Sequence, residues 1–412
     1  MLCYYKNESK KMKNLNIFYF DNDLGNFDEF NPRFVMEQKF ANDILSLIAI
    51  KPPFYYDITN LATKLKTNIN VLEKPINLLK NISAITERSG NFRLNFPFFL
   101  DKDINTMKSI VLMLFKKNHA TLINGVQSLT KQLIELYPSI KIKLSLYHLL
   151  CGKIFDGLMF NYLEQQGLLK QSYMQNDNRD FMLIGYQNSN ICYKFNANLY
   201  CSFNNAKYKD NSLTSFGNAS GERLDYFRYF KLREKNKLYG KFLIIHKYFQ
   251  NETNSEIVKN SLDNIFDLLN KKQVANNKYL EILKLTNYVD KDNQIIVPVF
   301  DDYILKTNIL FEEVKRKLGS SLTEILNDFK ILILNSNINC IKHSVPMEQL
   351  CNELWHIFFG LFNEYLINEK IVASPQQFFK QGKYLKCIYL SKCWQHSPPK
   401  TSRGIRLNHN HF

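Results

Sequence analysis

Apolar residues recur at three- and four-residue spacing along most of the chain, broken by short alternating runs. Asn14–Phe20 reads as a strand ended by Asp21-Asn22-Asp23. Behind Pro32, the positions Phe34, Val35, Phe40, Ile44, Leu45 and Ile48 share one face and predict a helix from Arg33 to Ala49. Lys51-Pro52-Pro53 stops it, because a residue before proline is driven out of the helical region. Asp57 is placed to cap a second helix carrying Ile58, Leu61, Ala62 and Leu65. After Lys66-Thr67-Asn68 a third helix carries Val71, Leu72, Ile76, Leu79 and Ile82, with Asn70 and Glu73 at capping-box spacing. Ala84–Arg88 and Phe92–Phe96 then predict two strands joined by Ser89-Gly90-Asn91.

Downstream, the periodicity predicts helices at Asp103–Asn118, Ala120–Leu136 and Lys143–Gln166. Phe181–Tyr186, Ile191–Phe195 and Leu199–Phe203 are aromatic and β-branched runs that read as an antiparallel meander. A helix Leu224–Lys235 follows, then Lys237–Phe249, Asn254–Leu269 and Asn277–Leu285, and a second hairpin from Asn287–Val289 and Gln294–Val299. Asp302–Leu318, Ser321–Leu334 and Met347–Ile367 read as helices, Gln377–Leu390 as a short helix and strand, and Ser391–Phe412 as a basic tail.

The two halves echo one another about 200 positions apart, in order and spacing, as a decayed duplication would. Asn91–Phe99, Leu150-Cys151, Gly157-Leu158, Asn161 and Tyr162-Leu163 correspond to Asn293–Phe300, Leu350-Cys351, Gly360-Leu361, Asn363 and Tyr365-Leu366. A pseudo-two-fold chain suits a two-fold symmetric partner.

Helix, helix, turn, helix and two-stranded wing: residues 33–98 resemble a winged helix-turn-helix domain of the bacterial arsenic-repressor and MarR type. Ile58–Leu65 matches the positioning helix, Asn70–Ile82 the recognition helix and Thr86–Leu94 the wing. In that family the third helix enters the major groove and the wing tip touches phosphate. The resemblance therefore implies DNA contacts at Asn68, Asn70, Lys74, Asn77 and Lys80, and at Arg88, Asn91 and Arg93 on the wing. Two residues depart from it. Pro75 removes a hydrogen bond inside the recognition helix, and Glu73 sets a negative charge near the expected phosphates unless it is engaged as the cap. The expected fold is α+β, predominantly helical, with tandem pseudo-duplicated winged-helix units, long helices and a small antiparallel β-meander. Its divisions are an N-terminal strand or arm (1–32), a winged helix (33–100), a helical linker (101–179), the meander (180–222), a second winged-helix-like unit (223–300), a helical region (301–390) and a basic tail (391–412).

Charge sharpens this picture. Of 412 residues, 54 are basic and 38 acidic, a net +16, which suits an anionic partner. The excess is uneven: residues 1–100 hold 13 basic and 10 acidic side chains, residues 206–247 hold 10 and 4, and residues 368–407 hold 8 and 1. No apolar run approaches the ~20 residues that span a bilayer, and the N-terminus has no apolar signal core, so a cytoplasmic chain without membrane contact is expected.

Candidate chemistry adds little. The eight cysteines read as buried thiols. Cys340-x2-His343-x7-Cys351-x4-His356 approaches a zinc pattern without its tight ligand pairs, as does Cys393-x2-His396 with His409-x-His411; no metal or cofactor is expected. Ser215–Arg223 is a small-residue loop at a helix start, which can hold an anion or simply supply Ser220 as a cap. The helix Arg223–Arg233 interleaves bases with aromatics, although Leu224, Tyr226, Phe227 and Phe230 also form an ordinary buried stripe. No GxGxxG, GxxxxGK[ST], GxSxG, HExxH or CxxC occurs, and no enzyme is expected. The expected function is transcriptional regulation on double-stranded DNA, with room for a protein partner or homodimer. The alternative is a protein-interaction scaffold whose winged helices no longer bind DNA.

Overall fold

The Asn31 side chain accepts from the Arg33 amide and Pro32 opens the first helix, α1 (Pro32–Glu37). Phe40 then adopts a left-handed conformation, φ 68°, and α2 (Ala41–Ala49) begins afresh, so the helix expected over 33–49 is two. The computed structural model describes residues 15–137, 141–234, 236–275, 277–375 and 382–391; the expected helix near 377 and the tail lie outside them. β2 (Tyr56–Asp57) leads into α3 (Ile58–Leu65), where Asp57 Oδ1 accepts the Asn60 amide at 2.7 Å. Lys66 turns left-handed and α4 (Ile69–Asn81) follows. Its cap is Asn68, which accepts the Asn70 amide at 3.0 Å, and the expected box at Asn70 and Glu73 does not form. β3 (Ile85–Arg88) and β4 (Asn91–Leu94) are joined by Ser89 and Gly90 with φ of 51° and 79°, a turn whose twist matches the paired strands. The three strands make a sheet in the order β2-β4-β3 over Leu45, Ile48, Leu61, Leu72, Ile76 and Leu79.

Two residues of β5 (Phe98–Phe99) then pair in parallel with β7 (Asp180–Gln187), which also pairs antiparallel with β1 (Leu15–Asp23) and β6 (Tyr173–Met174). Between β5 and β6 run α5 (Asp101–Leu136), α6 (Ile142–Leu146), a π-helical stretch Tyr147–Leu158 and α7 (Met159–Gln165). The break expected at His119 is absent, and α5 continues for 36 residues.

The segment expected to be one meander divides between sheets. Ile191–Phe195 is helical, within α8 (Asn190–Asn198), because Ser189 Oγ accepts the Cys192 amide at 3.1 Å and starts a helix there. β8 (Ser202–Tyr208) and β9 (Asn211–Gly217) form a hairpin in a separate sheet, order β10-β11-β9-β8. Then come α9 (Tyr226–Glu234), α10 (Gly240–His246), α11 (Asn254–Leu269) and α12 (Lys278–Leu285). The second expected hairpin is reduced to a single bridge between Val289 and Ile295. β10 (Val299–Phe300) runs parallel to β11 (Tyr384–Tyr389), itself antiparallel to β9. α13 (Tyr303–Leu334) is unbroken at Gly319, and α14 (Asn339–Lys342) and α15 (Met347–Asn368) complete the chain's helices among the described residues.

α5 and α13 pack antiparallel, with Lys117 bonded to Asp328 at 2.8 Å and Gly125 opposite Leu318. A Cβ on Gly125 would sit 2.2 Å from a Leu318 methyl, so a larger residue there would have to displace that side chain. Leu122, Leu322, Phe155, Trp355 and Phe359 are fully buried in the core these helices share with the π-helical stretch and α15. The result is a predominantly helical α+β chain with three small sheets among the described residues.

Candidate nucleic-acid interface

α4 is amphipathic by composition and packs accordingly. Leu72, Pro75, Ile76, Leu78 and Leu79 face inward, while Asn68, Asn70, Glu73, Lys74 and Asn77 are exposed. Pro75 thus sits on the inner side of the helix. Glu73, which the sequence offered as a cap, is instead an exposed acid beside Lys74. The oxygen of Asn68 is taken by the cap, leaving its amide donors outward.

The other candidates divide. Lys80 is bonded to Glu87 at 2.7 Å and ties the end of α4 to β3. Arg88 is exposed at the end of β3, and Asn91 donates to the Ser89 carbonyl at 3.3 Å. Arg93 does not face a ligand. Its Nη1 donates to the His343 carbonyl at 2.6 Å and its guanidinium lies 5.7 Å from the Phe54 ring centre, so it clamps the hairpin to the corner between α14 and α15. Burial explains the difference: Arg93 shares β4 with Phe92 and Leu94, which point into the core, and its own side rests on the second half of the chain.

His343 completes that clamp. Its Nδ1 accepts the Leu94 amide at 3.2 Å and its Nε2–H donates to the Lys51 carbonyl at 3.1 Å, which fixes the neutral tautomer. Burial, with Arg93 and Lys342 nearby, pushes its pKa down to about 4. Cys340 donates to the Phe98 carbonyl at 3.2 Å in the same corner, and burial pushes its thiol well up. The zinc-like spacing is therefore occupied by chain contacts, and among the described residues no group of three or more His, Cys, Asp or Glu is placed to hold a metal. The pattern at Cys393–His411 lies outside the described residues.

Two cations were not singled out by sequence. Lys64 and Lys66 are exposed at the end of α3, immediately before the turn into α4, and like Lys74 and Arg88 they have no ion-pair partner among the described residues. The signal was the Lys-x-Lys pair closing a helix that a left-handed turn follows.

The surface around α12 is differently charged. Lys278 on α12 is bonded to Glu252, which also accepts from Tyr279 at 3.0 Å. Lys284 pairs with Glu281 at 3.2 Å. The turn before Ile295 is organised by Asp290, whose Oδ1 accepts the Asp292 and Gln294 amides. The loop after β9 supplies no open anion cradle either. Its centre is filled by Arg223, which donates to the Ser202 and Asn218 carbonyls at 3.0 and 2.6 Å, and Ser220 bonds Asn218 in place of capping a helix. Asp225 takes the cap, accepting the Arg228 amide at 2.8 Å. On α9 the buried side chains are Tyr226, Tyr229 and Leu232, so of the expected stripe only Tyr226 is buried, and Leu224, Phe227 and Phe230 are half-buried.

Among the described residues no helix is long and apolar enough to cross a membrane. No family model, curated protein or solved structure matches the chain.

Proposed function

We propose that the chain is a DNA-binding transcriptional regulator, built from two winged-helix units in tandem and reading double-stranded DNA through the first. The tandem reading is supported by the repeated order of elements. In each half a helical trio and a paired turn lead to a two-residue strand (β5, β10) that runs parallel to a late strand (β7, β11), with a helix of more than thirty residues launched directly after it. The observation that carries the DNA reading is the outer side of α4: Asn70, Lys74 and Asn77 stand in solvent, with Lys64 and Lys66 before them and Arg88 on the hairpin. Unpaired cations are what phosphate contact requires, and amides at one helical face are what base-edge contact requires. The cations of α12 are neutralised within the chain, so this unit contributes less to DNA affinity.

Titration of a labelled random duplex, followed by fluorescence anisotropy at increasing salt, tests the reading. Binding that falls steeply with salt, by a slope that shrinks by about one when Lys74 is removed, supports it. The scaffold reading is favoured by one feature, the exposed Glu73 in the middle of the reading face. It would be upheld by an absence of binding at low salt.

A further inference from the structure

α10 and α12 frame an open groove of about 650 Å³, lined by Ile244, Ile245, Tyr248 and Leu285. Its α10 side is unusually apolar for a free surface: Leu243, Ile244 and Tyr248 are 56%, 64% and 52% exposed. We infer that this groove docks an amphipathic helix of a protein partner, with acidic residues flanking the partner's apolar stripe. This goes beyond the DNA reading; the match in shape rests on the tandem correspondence proposed above, and the match in charge does not.

Two observations specify the occupant. The first is the matching place in the other half of the chain. There α1 lies against both α2 and α4, and buries Val35 and Met36 in the core those helices form. A short helix is thus the shape that this arrangement of helices already accepts. The second is charge. Lys241 on α10 and Lys247 just after it flank Leu243, Ile244 and Tyr248, both exposed and neither with a carboxylate partner among the described residues. Lys278 and Lys284, on the opposite wall, are occupied by Glu252 and Glu281. An apolar strip edged by free lysines complements an apolar stripe edged by carboxylates, which steers association and sets its register. A second copy of this chain would bring lysine edges together across a two-fold contact, and the basic sequence 391–412 carries the wrong sign. DNA would find no partner for the exposed leucine, isoleucine and tyrosine between the lysines.

The probe is a fluorescein-labelled helical peptide of about sixteen residues, with leucines at three- and four-residue spacing flanked by glutamates; a control peptide carries lysines at those positions. Measured by anisotropy on the full chain, the acidic peptide should bind and the lysine peptide should bind at least about tenfold more weakly, a difference of about 1.4 kcal/mol. Ile244→Glu should abolish binding, and because Ile244 is mostly exposed, its circular dichroism should match the parent. The double variant Lys241→Glu, Lys247→Glu should reverse the preference between peptides. No binding of either peptide at submillimolar concentration, or equal binding of both, overturns the proposal. So does a dimer of the free chain that Ile244→Glu converts to monomer, which would make the occupant a second copy. Loss of duplex binding in the double lysine variant, with no peptide binding by the parent, would make the face a nucleic-acid surface and also overturn it.

Discussion

Between residues 32 and 94, α1 covers the apolar edges of α2 and α4, and the side of α4 left to solvent carries Asn70, Asn77 and one unpaired cation, Lys74, beside the exposed Ile69 and Val71. Between residues 240 and 296 the distribution is inverted: the apolar edge of α10 is open, and the cations of α12 are held by carboxylates. Inner positions are alike. Leu72, Ile76 and Leu79 in one stretch and Leu280, Ile282 and Leu283 in the other are all buried. Packing demands constrain interiors strongly, because a methylene too many or too few is felt there, while surfaces are free to diverge. The comparison therefore teaches that similarly buried helices can present very different surfaces, and on the proposed reading what is left uncovered decides between a nucleic-acid and a protein partner.

The contrast extends to the shared core, where it can be sharpened with the largest effect. Tyr186, packed on Phe99, donates to Glu353 on α15; Tyr389, stacked on Phe300, donates at 3.1 Å to the backbone of His148 in the π-helical stretch. Each tyrosine thus crosses to the other half and meets a segment carrying a buried ionisable group. Burial pushes Glu353 up to about 8, while it pushes His148 down to about 3. A carboxyl with a raised folded-state pKa contributes fully below its ordinary 4.5 and loses that contribution as pH rises to about 8. Its share of the stability should fall across that range by on the order of 4 kcal/mol, read in urea unfolding with the buried Trp355 as reporter as the difference between parent and Glu353→Gln, which cancels the opposing histidines. A parent-minus-variant difference that stays level from pH 5 to 8 would contradict this.

His343 titrates with the opposite sign. Its folded-state pKa of about 4 lies below the ordinary 6.5, so its contribution is complete above 6.5 and is lost as pH falls toward 4. On the order of 3 kcal/mol is at stake, and the Leu94 amide, which donates to its Nδ1, should lose protection from hydrogen exchange over the same interval. His343→Asn should remove that pH dependence; unchanged protection of Leu94 in the acidified parent would break the assignment of the clamp.

Smaller effects separate the two surfaces directly. Lys74→Glu should weaken duplex binding by about tenfold, or 1.4 kcal/mol, and Lys278→Glu by much less. Equal losses would erase the distinction between the reading surfaces. Smallest is Arg93→Lys, which keeps the charge and loses the directed guanidinium contact to the His343 carbonyl. It should lower stability by about 1 kcal/mol with duplex affinity unchanged; a loss of affinity matching that of Lys74→Glu would restore Arg93 to the DNA-facing set.

What could be read from sequence was what local chemistry decides. Asp57 before α3 and the Ser89-Gly90 turn each act within a few residues, and each occurs as expected; Asn277, read as the first residue of its helix, is instead the cap of α12. Helix continuity through His119 and Gly319 was not legible, because the breaking tendency of Asn118-His119 and Gly319 is weak beside the packing of α5 on α13. α8 was read as a strand from Ile191, Cys192 and Tyr193, although Ser189 carried the start signal. Arg93 was assigned outward because its partner, His343, lies 250 residues away, a distance over which pattern carries no information. The open groove between α10 and α12 was equally silent, since Leu243 and Ile244 look like core residues until their neighbours are placed.

β1 takes its backbone partner from β7, which emerges from the ribosome only after roughly 160 further residues have been made. At about 5–20 residues per second, the strand waits on the order of ten seconds with its ladder groups unpaired. An unpaired strand of this kind is open to wrong pairing while it waits, and slowing translation should lower the yield of native protein by lengthening that wait.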